Sequence, residues 1–365
     1  MKPGASSVIV IGGGVFGCAT AFQLARRGIK TTLIERDNIG DHASGKNPGN
    51  LNPIHGSPPA LIPFALKSFQ LHQALAGELS SLGCADYELQ PVRRILLAFD
   101  ESELRGLEEV ARAFEGVAGF STSRLDADTI LRLDPRLSGD VIAGLLVEGN
   151  RSVNSRAFNR ALAEGAARSG ATLLRDKVIG VETTEDRVIG VRTPDRSIVC
   201  DAVVLATGPW VAETREWLGF EQPVTPVKGE MLRVQLPGAA LQYDFTRGMI
   251  SLYRRGRDEC WIGVTKEHAG FDETPTGAGR LQLLNAAARI MPAVGQAKVL
   301  EHAASLRPMS PSGLPMAGRV PGWGNVYVAN GGGIKGMLLC AGVGLAISEL
   351  IVDGATGMPI NLEIS

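Results

Sequence analysis

Apolar and polar positions along this chain switch repeatedly between a strand period and a helix period. Ser7–Ile11 is an unbroken β-branched run, the pattern of a strand covered on both faces. "VFGCATAFQLARRG" then places apolar residues at helical spacing and closes on Gly28, and "KTTLIE" is a second strand ending at Glu35. "RDNIGDHASGKNPGNLNPIHG" keeps neither period, and a structureless loop of that length is usually functional or disordered. Helical spacing resumes in "PALIPFALKSFQLHQALAGELSSLG". "RRILLAFD" reads as a strand and "SELRGLEEVARAFEGV" as an amphipathic surface helix. From about Arg151 a helix, "SVNSRAFNRALAEGAARSGA", leads into a ladder of short strands that ends in "DAVVLATG". Between Gly219 and His302 come strands in "VKGEMLRVQL", "GMISLYRR" and "ECWIGVTKE", then the helix "AGRLQLLNAAARIM". The tail, "NVYVANGGGIKGMLLCAGVGLAISELIVDG", is strand, glycine loop and helix, the same device as at the N-terminus.

This order predicts an α/β fold, α+β overall. A Rossmann-like domain, made of residues 1–85, 150–217 and 306–365, carries a second, mainly antiparallel-sheet domain made of residues 86–149 and 218–305. Gly12, Gly14 and Gly17 form G-x-G-x-x-G between the first strand and the first helix. Gly12 serves the tight turn, Gly14 admits a pyrophosphate to the backbone, and Gly17 lets helix and strand pack closely. The helix N-terminus offers free N–H groups and a positive dipole end to phosphate. Glu35 stands where an acid accepts from ribose hydroxyls. In that setting the motif predicts a dinucleotide site, with NAD and FAD both open.

Composition narrows the class. At 365 residues, 44% hydrophobic and 21% charged, the chain is of ordinary globular make-up and long enough for two domains. A formal net charge of -1 offers no basic excess to nucleic acid. Five scattered cysteines without a CxxC pair read as reduced thiols of a cytoplasmic protein. No apolar run has the length of a membrane span, and no basic segment precedes a cleavable apolar one, so no integral membrane segment is expected.

Several motifs together resemble the FAD-dependent D-amino-acid-oxidase superfamily, most of all its glycine oxidase, sarcosine oxidase and D-amino-acid dehydrogenase branches. The resemblance spans nearly the whole chain: "VIGGGVFGCATAFQLARRG", "LIERD", "HASGKNPGNLNP", "VNSRAFNRAL", "DAVVLATGPW", "PVKGEMLRV" and "SLRPMSPSGLPMAG" occur in order, the last with Ser312 where an Asp is common. It implies FAD, bound without a covalent link. The first turn would hold it through Gly12, Gly14, Val15, Phe16 and Gly17, followed by Glu35 and Arg36. The second loop would add Ser44, Gly45, Asn47, Gly49, Asn50 and Leu51, and the middle of the chain Val178, Ala206, Thr207, Gly208 and Trp210. The C-terminal loop, Gly331, Gly332, Gly333, Ile334, Lys335 and Gly336, would approach the flavin ring, with N–H groups near Gly332 and Gly333 facing its N1–C2=O edge.

The resemblance also implies a chemistry: oxidation of the C–N bond of a small amino acid or N-substituted glycine by hydride transfer to flavin N5. Arg307, in "SLRP", matches the arginine that holds the substrate carboxylate, and its planar fork suits that group. Lys335 matches a carboxylate-binding lysine of the sarcosine-oxidase branch. Tyr253 and Arg254 fall on a strand where the family places pocket residues. His42 precedes "ASG" much as a flavin-linked histidine does in the dimethylglycine-oxidase branch, but is expected to carry no link. Cys340, inside the last helix, is expected to belong to the core, and His55 to pack as readily as to act. Trp261 stands where an oxygen-activating lysine stands in sarcosine oxidases, so oxygen and another electron acceptor both remain open. The same resemblance admits a 2-hydroxy acid or a carboxymethylamino-modified tRNA base as substrate, an FAD-binding subunit of a heteromeric dehydrogenase, and a homo-oligomer.

Overall fold

Buried β-branched strands joined through helices pair in parallel, because the crossover returns each strand in the same direction. In the computed structural model, which describes residues 5–256 and 259–360, five such strands form a sheet. Their order is Thr172–Arg175, Lys30–Glu35, Ser7–Ile11, Ala202–Leu205 and Val326–Asn330, with Met316–Arg319 added antiparallel at the edge. Residues 1–4 and 361–365 of the expected cofactor segments, and 257–258 of the expected substrate segments, lie outside the described residues.

Alternate residues of these strands enter two cores. Val8, Val10, Leu33 and Val204 face the helices Val15–Arg26, Ser155–Arg168 and Gly336–Val352. Ile9, Ile11, Ile34, Val203 and Leu205 face a small antiparallel sheet of Gly180–Thr184, Arg187–Arg192 and Ser197–Val199. The expected strand ladder thus divides: its first and last members join the parallel sheet, and those between cover it.

The second sheet has nine strands and one parallel contact, between Asp244–Arg247 and Gln90–Ala98. Lys298–Met309 pairs along its length with Thr225–Gln235, so residues 306–309 continue this sheet past the expected boundary. Asn50–Leu51 of the cofactor loop joins its far edge by pairing with Arg151–Ser152. Ile95, Phe245, Leu252 and Ile262 pack on Leu283 and Ala287 of the helix Gly277–Ala288. By alternation, Arg94, Asp244, Tyr253 and Trp261 stand on the opposite face, toward the cofactor loop. The strand Ser121–Asp126 escapes sequence reading because every residue but Leu125 is polar and none is buried, so there is no alternating signal.

Candidate active site

A cleft opens at the carboxyl ends of the parallel strands, where α/β sheets bind ligands. Its walls meet at distances that only glycine permits. A Cβ on Gly17 would lie 1.9 Å from the Gly12 carbonyl oxygen, and one on Gly12 2.3 Å from the Ala206 oxygen. Glu35 lines the cleft with both oxygens oriented, one accepting from the Gly13 N–H (2.6 Å) and one from the Asp37 N–H (2.8 Å). Lone pairs remain on each for a ribose. Ser44 Oγ accepts from Val15 N–H (2.9 Å) at the start of the first helix, so the hydroxyl hydrogen is free to donate to a phosphate.

Val178, Ala206, Thr207, Gly208 and Trp210 form the opposite wall. Thr207 Oγ1 is buried there without a partner, a cost that a bound ligand would relieve. The Arg36 guanidinium lies 4.3 Å from the Trp210 ring centroid. Asn159, which sequence reading did not single out, is fully buried and donates to the Gly13 carbonyl (3.0 Å), bracing the phosphate turn from behind. Its signal is a polar side chain at a core position of its helix.

His42 sits between two carboxylates, with Nδ1 2.8 Å from Glu273 Oε2 and Nε2 3.0 Å from Asp37 Oδ2. Two carboxylate acceptors require both ring nitrogens to donate, which is the imidazolium form. The hydrogen bond to Glu273 accordingly raises its pKa, against the opposing effect of burial. Both ring nitrogens are engaged by these carboxylates.

The rest of the second loop is held by its own bonds. Asn47 donates to the Ala43 and Ser44 carbonyls (2.8 and 2.9 Å) and accepts from Gly49 N–H (2.8 Å). Gly45 packs against the Gly40 oxygen, and Arg255 donates to the Pro48 carbonyl and to Asn50 Oδ1. In the C-terminal loop, Phe16 touches Gly332, and Ile334 is exposed. Gly331 N–H donates to Asn330 Oδ1 (2.8 Å) and Gly333 N–H to Pro308 O (3.0 Å), so the Gly333 donor is occupied. The helix Gly336–Val352 begins beside this loop with no side-chain cap, so its first N–H groups have no side-chain partner.

Arg307 reaches the functional face of the second sheet. Its Nη2 donates to the Thr265 carbonyl (3.1 Å), and its fork lies across Gly229, where a Cβ would stand 1.6 Å from Nη2. No carboxylate pairs with it among the described residues. Burial holds its pKa below the ordinary value, with Tyr253 acting in the opposite sense. Lys335 Nζ donates to the Asn52 and His55 carbonyls (2.9 and 2.7 Å), which ties the second loop to the last helix. Burial, and Arg94 nearby, push Lys335 down to about 7. Burial likewise lowers His55 to about 4. Arg254 follows Leu252 on the core-facing side and is not brought to Arg307, Tyr253 and Lys335.

The family model described as FAD dependent oxidoreductase matches residues 7–350. The chain belongs to this DAO family of FAD-dependent oxidoreductases. It is 31% identical over 349 residues to the glycine oxidase of Geobacillus kaustophilus, covering 94% of this chain and 92% of that one. It is likewise 31% identical over 368 residues to the glycine oxidase of Pseudomonas aeruginosa, covering 96% and 94%. The crystal structure of the G. kaustophilus enzyme superposes with a TM-score of 0.91 at 28% identity over 98% of each chain. Iminodiacetate oxidase of Chelativorans sp. BNC1 superposes with a TM-score of 0.89 at 26% identity, over 98% and 97%. Family membership makes FAD the cofactor, and the glycine cradle, Glu35, Ser44 and the orphaned Thr207 hydroxyl suit its dinucleotide half. No helix among the described residues is long and apolar enough to cross a membrane.

Proposed function

We propose that the protein oxidises the C–N bond of a small amino acid or N-substituted glycine, giving an imine that water hydrolyses to a 2-oxo acid and an amine. The bound flavin supplies the acceptor for the α-hydrogen as hydride, at N5. The observation that carries this reading is Arg307: a partly buried guanidinium, unpaired by any carboxylate among the described residues, laid across a glycine beside Tyr253. An uncompensated cation in such a place is costly, and a substrate carboxylate would relieve the cost.

In this reading Arg307 takes both carboxylate oxygens in its fork, and the Tyr253 hydroxyl donates to one of them. Together they fix the α-carbon in one orientation, which is the main contribution that positioning can make. Lys335 acts with them chiefly by holding the Asn52–His55 stretch against the last helix. Proton transfer needs no dedicated side chain when the amine binds neutral.

The test is anaerobic bleaching of the bound flavin by glycine, sarcosine, proline, D-amino acids and 2-hydroxy acids. Carboxylate-bearing amines should bleach it, and Arg307→Ala should raise the concentration required by about thirty- to several-thousand-fold. Bleaching by 2-hydroxy acids alone would move the substrate class. No bleaching by any of them would make the chain a cofactor-carrying subunit.

A further inference from the structure

The functional face of the second sheet holds more positive charge than one amino-acid carboxylate neutralises. Arg94 and Arg255 flank the Tyr253 ring, with guanidinium carbons 5.6 and 5.5 Å from its centroid. Both draw on one carboxylate: Asp244 lies 2.9 Å from Arg94 and 3.8 Å from Arg255, and is 1% exposed. Across the sheet Arg307 lies on the side of Tyr253 away from Arg94, and the charge of Arg94 acts on Lys335. Neither Arg307 nor Lys335 has a carboxylate partner among the described residues. Three guanidinium groups and a lysine therefore share a single buried carboxylate among the described residues.

Two details show where the excess lies. Arg94 is 6% exposed, and its Nε is buried with no hydrogen-bond partner, although Nη2 is bonded to Asp244. Lys335 makes two bonds to backbone carbonyls, which leaves its third N–H. Like charges brought together away from water repel strongly unless an anion joins them. The bond from Gly333 N–H to Pro308 O places the Lys335 loop beside the strand that carries Arg307.

We infer that the substrate is an amine with two acidic groups, one carboxylate held by Arg307 and the second acid by Arg94 and Lys335. This rests on the amine-oxidation reading above. The second acid is carried on the nitrogen substituent, as in iminodiacetate, or on the Cα side chain, as in aspartate, and the chemistry that recognises it is the same.

The experiment titrates oxidised holoenzyme, at fixed ionic strength, with acetate, malonate and succinate, following the flavin absorbance change. Because hydrogen bonds to charged groups are worth about 1.5–3 kcal/mol, a dicarboxylate should bind at least about tenfold more tightly than acetate. Arg94→Gln and Lys335→Gln should each reduce that ratio, and Arg94→Lys should keep most of it. Should Arg94→Gln fail to fold because Asp244 loses its nearer partner, the Lys335→Gln ratio and the parental ratio still decide. Anaerobic reduction by iminodiacetate and by D- and L-aspartate, against glycine and sarcosine, then identifies which position carries the second acid. Equal affinity for mono- and dicarboxylates, with sarcosine or glycine reducing the flavin efficiently, overturns the inference and leaves the amine-oxidation reading standing. Failure of every amine to reduce the flavin, with dicarboxylates still bound tightly, overturns that reading instead.

Discussion

Gly229 offers a way to disturb the Arg307 fork without removing its charge. A methyl group at this position would stand 1.6 Å from Nη2, 2.3 Å from Cζ and 2.9 Å from Nη1 of Arg307. Heavy atoms that do not bond rest at about 3.5–4 Å, so the guanidinium must retreat by roughly 2 Å in Gly229→Ala. The clash falls on the far end of a flexible side chain and not on backbone, so the sheet should survive. Gly229 lies mid-strand, paired with Ser305, where alanine loses less backbone entropy on folding than glycine. The displaced fork forfeits its bond to the Thr265 carbonyl and its in-plane approach to a carboxylate. A misplacement of an ångström in a positioned group costs about a hundredfold, and that is the loss expected in affinity for a carboxylate inhibitor and in flavin reduction at low substrate. Flavin content and thermal midpoint should stay near the parental values, which separates the effect from unfolding. Titration with the inhibitor, read through the flavin spectrum, decides it. If Gly229→Ala binds the carboxylate as tightly as the parent does, Arg307 does not hold that group.

Two further outcomes are expected at the dinucleotide end. Glu35→Ala removes both an acceptor for the ribose and the bonds to Gly13 and Asp37 N–H, and should weaken FAD binding by about 1–3 kcal/mol; unchanged flavin occupancy after dialysis would exclude the ribose role. The raised pKa of His42 makes its stabilising contribution fully present below its ordinary value of 6.5, and lost as pH rises through the folded-state value. The thermal midpoint of the parent should therefore exceed that of His42→Gln most near about pH 6 and converge with it in mild alkali, whereas a gap independent of pH would deny the imidazolium bridge.

What was legible in the sequence follows from how local each signal is. The first glycine turn, Glu35 and the C-terminal loop are read from spacings within a few dozen residues, and the fold matches them. The His42 bridge is not, because Glu273 lies 231 positions away and nothing in "GDHASG" points to it. Arg254 and Arg255 are adjacent on one strand, and alternation puts Arg255, not Arg254, on the face of Tyr253, a choice that the sequence pattern itself offered. The Gly333 N–H reads as a free donor in "GGGIK" until the strand at Pro308 takes it. Lys335 likewise looks unpartnered in sequence, since its acceptors are backbone carbonyls, which leave no trace in residue type.

The parallel sheet sets a constraint on synthesis. Ser7–Ile11 finds Lys30–Glu35 early, but its other edge waits for Ala202–Leu205, and the helix Val15–Arg26 waits for Gly336–Val352. At roughly 5–20 residues per second, a ribosome delivers that last helix some tens of seconds after the first. Throughout that interval an apolar strand with one unpaired edge stands open to water or under a chaperone. A slower message, or a chain stopped short of the final helix, should therefore be found in aggregates and in the hands of quality control, not as a smaller flavoprotein.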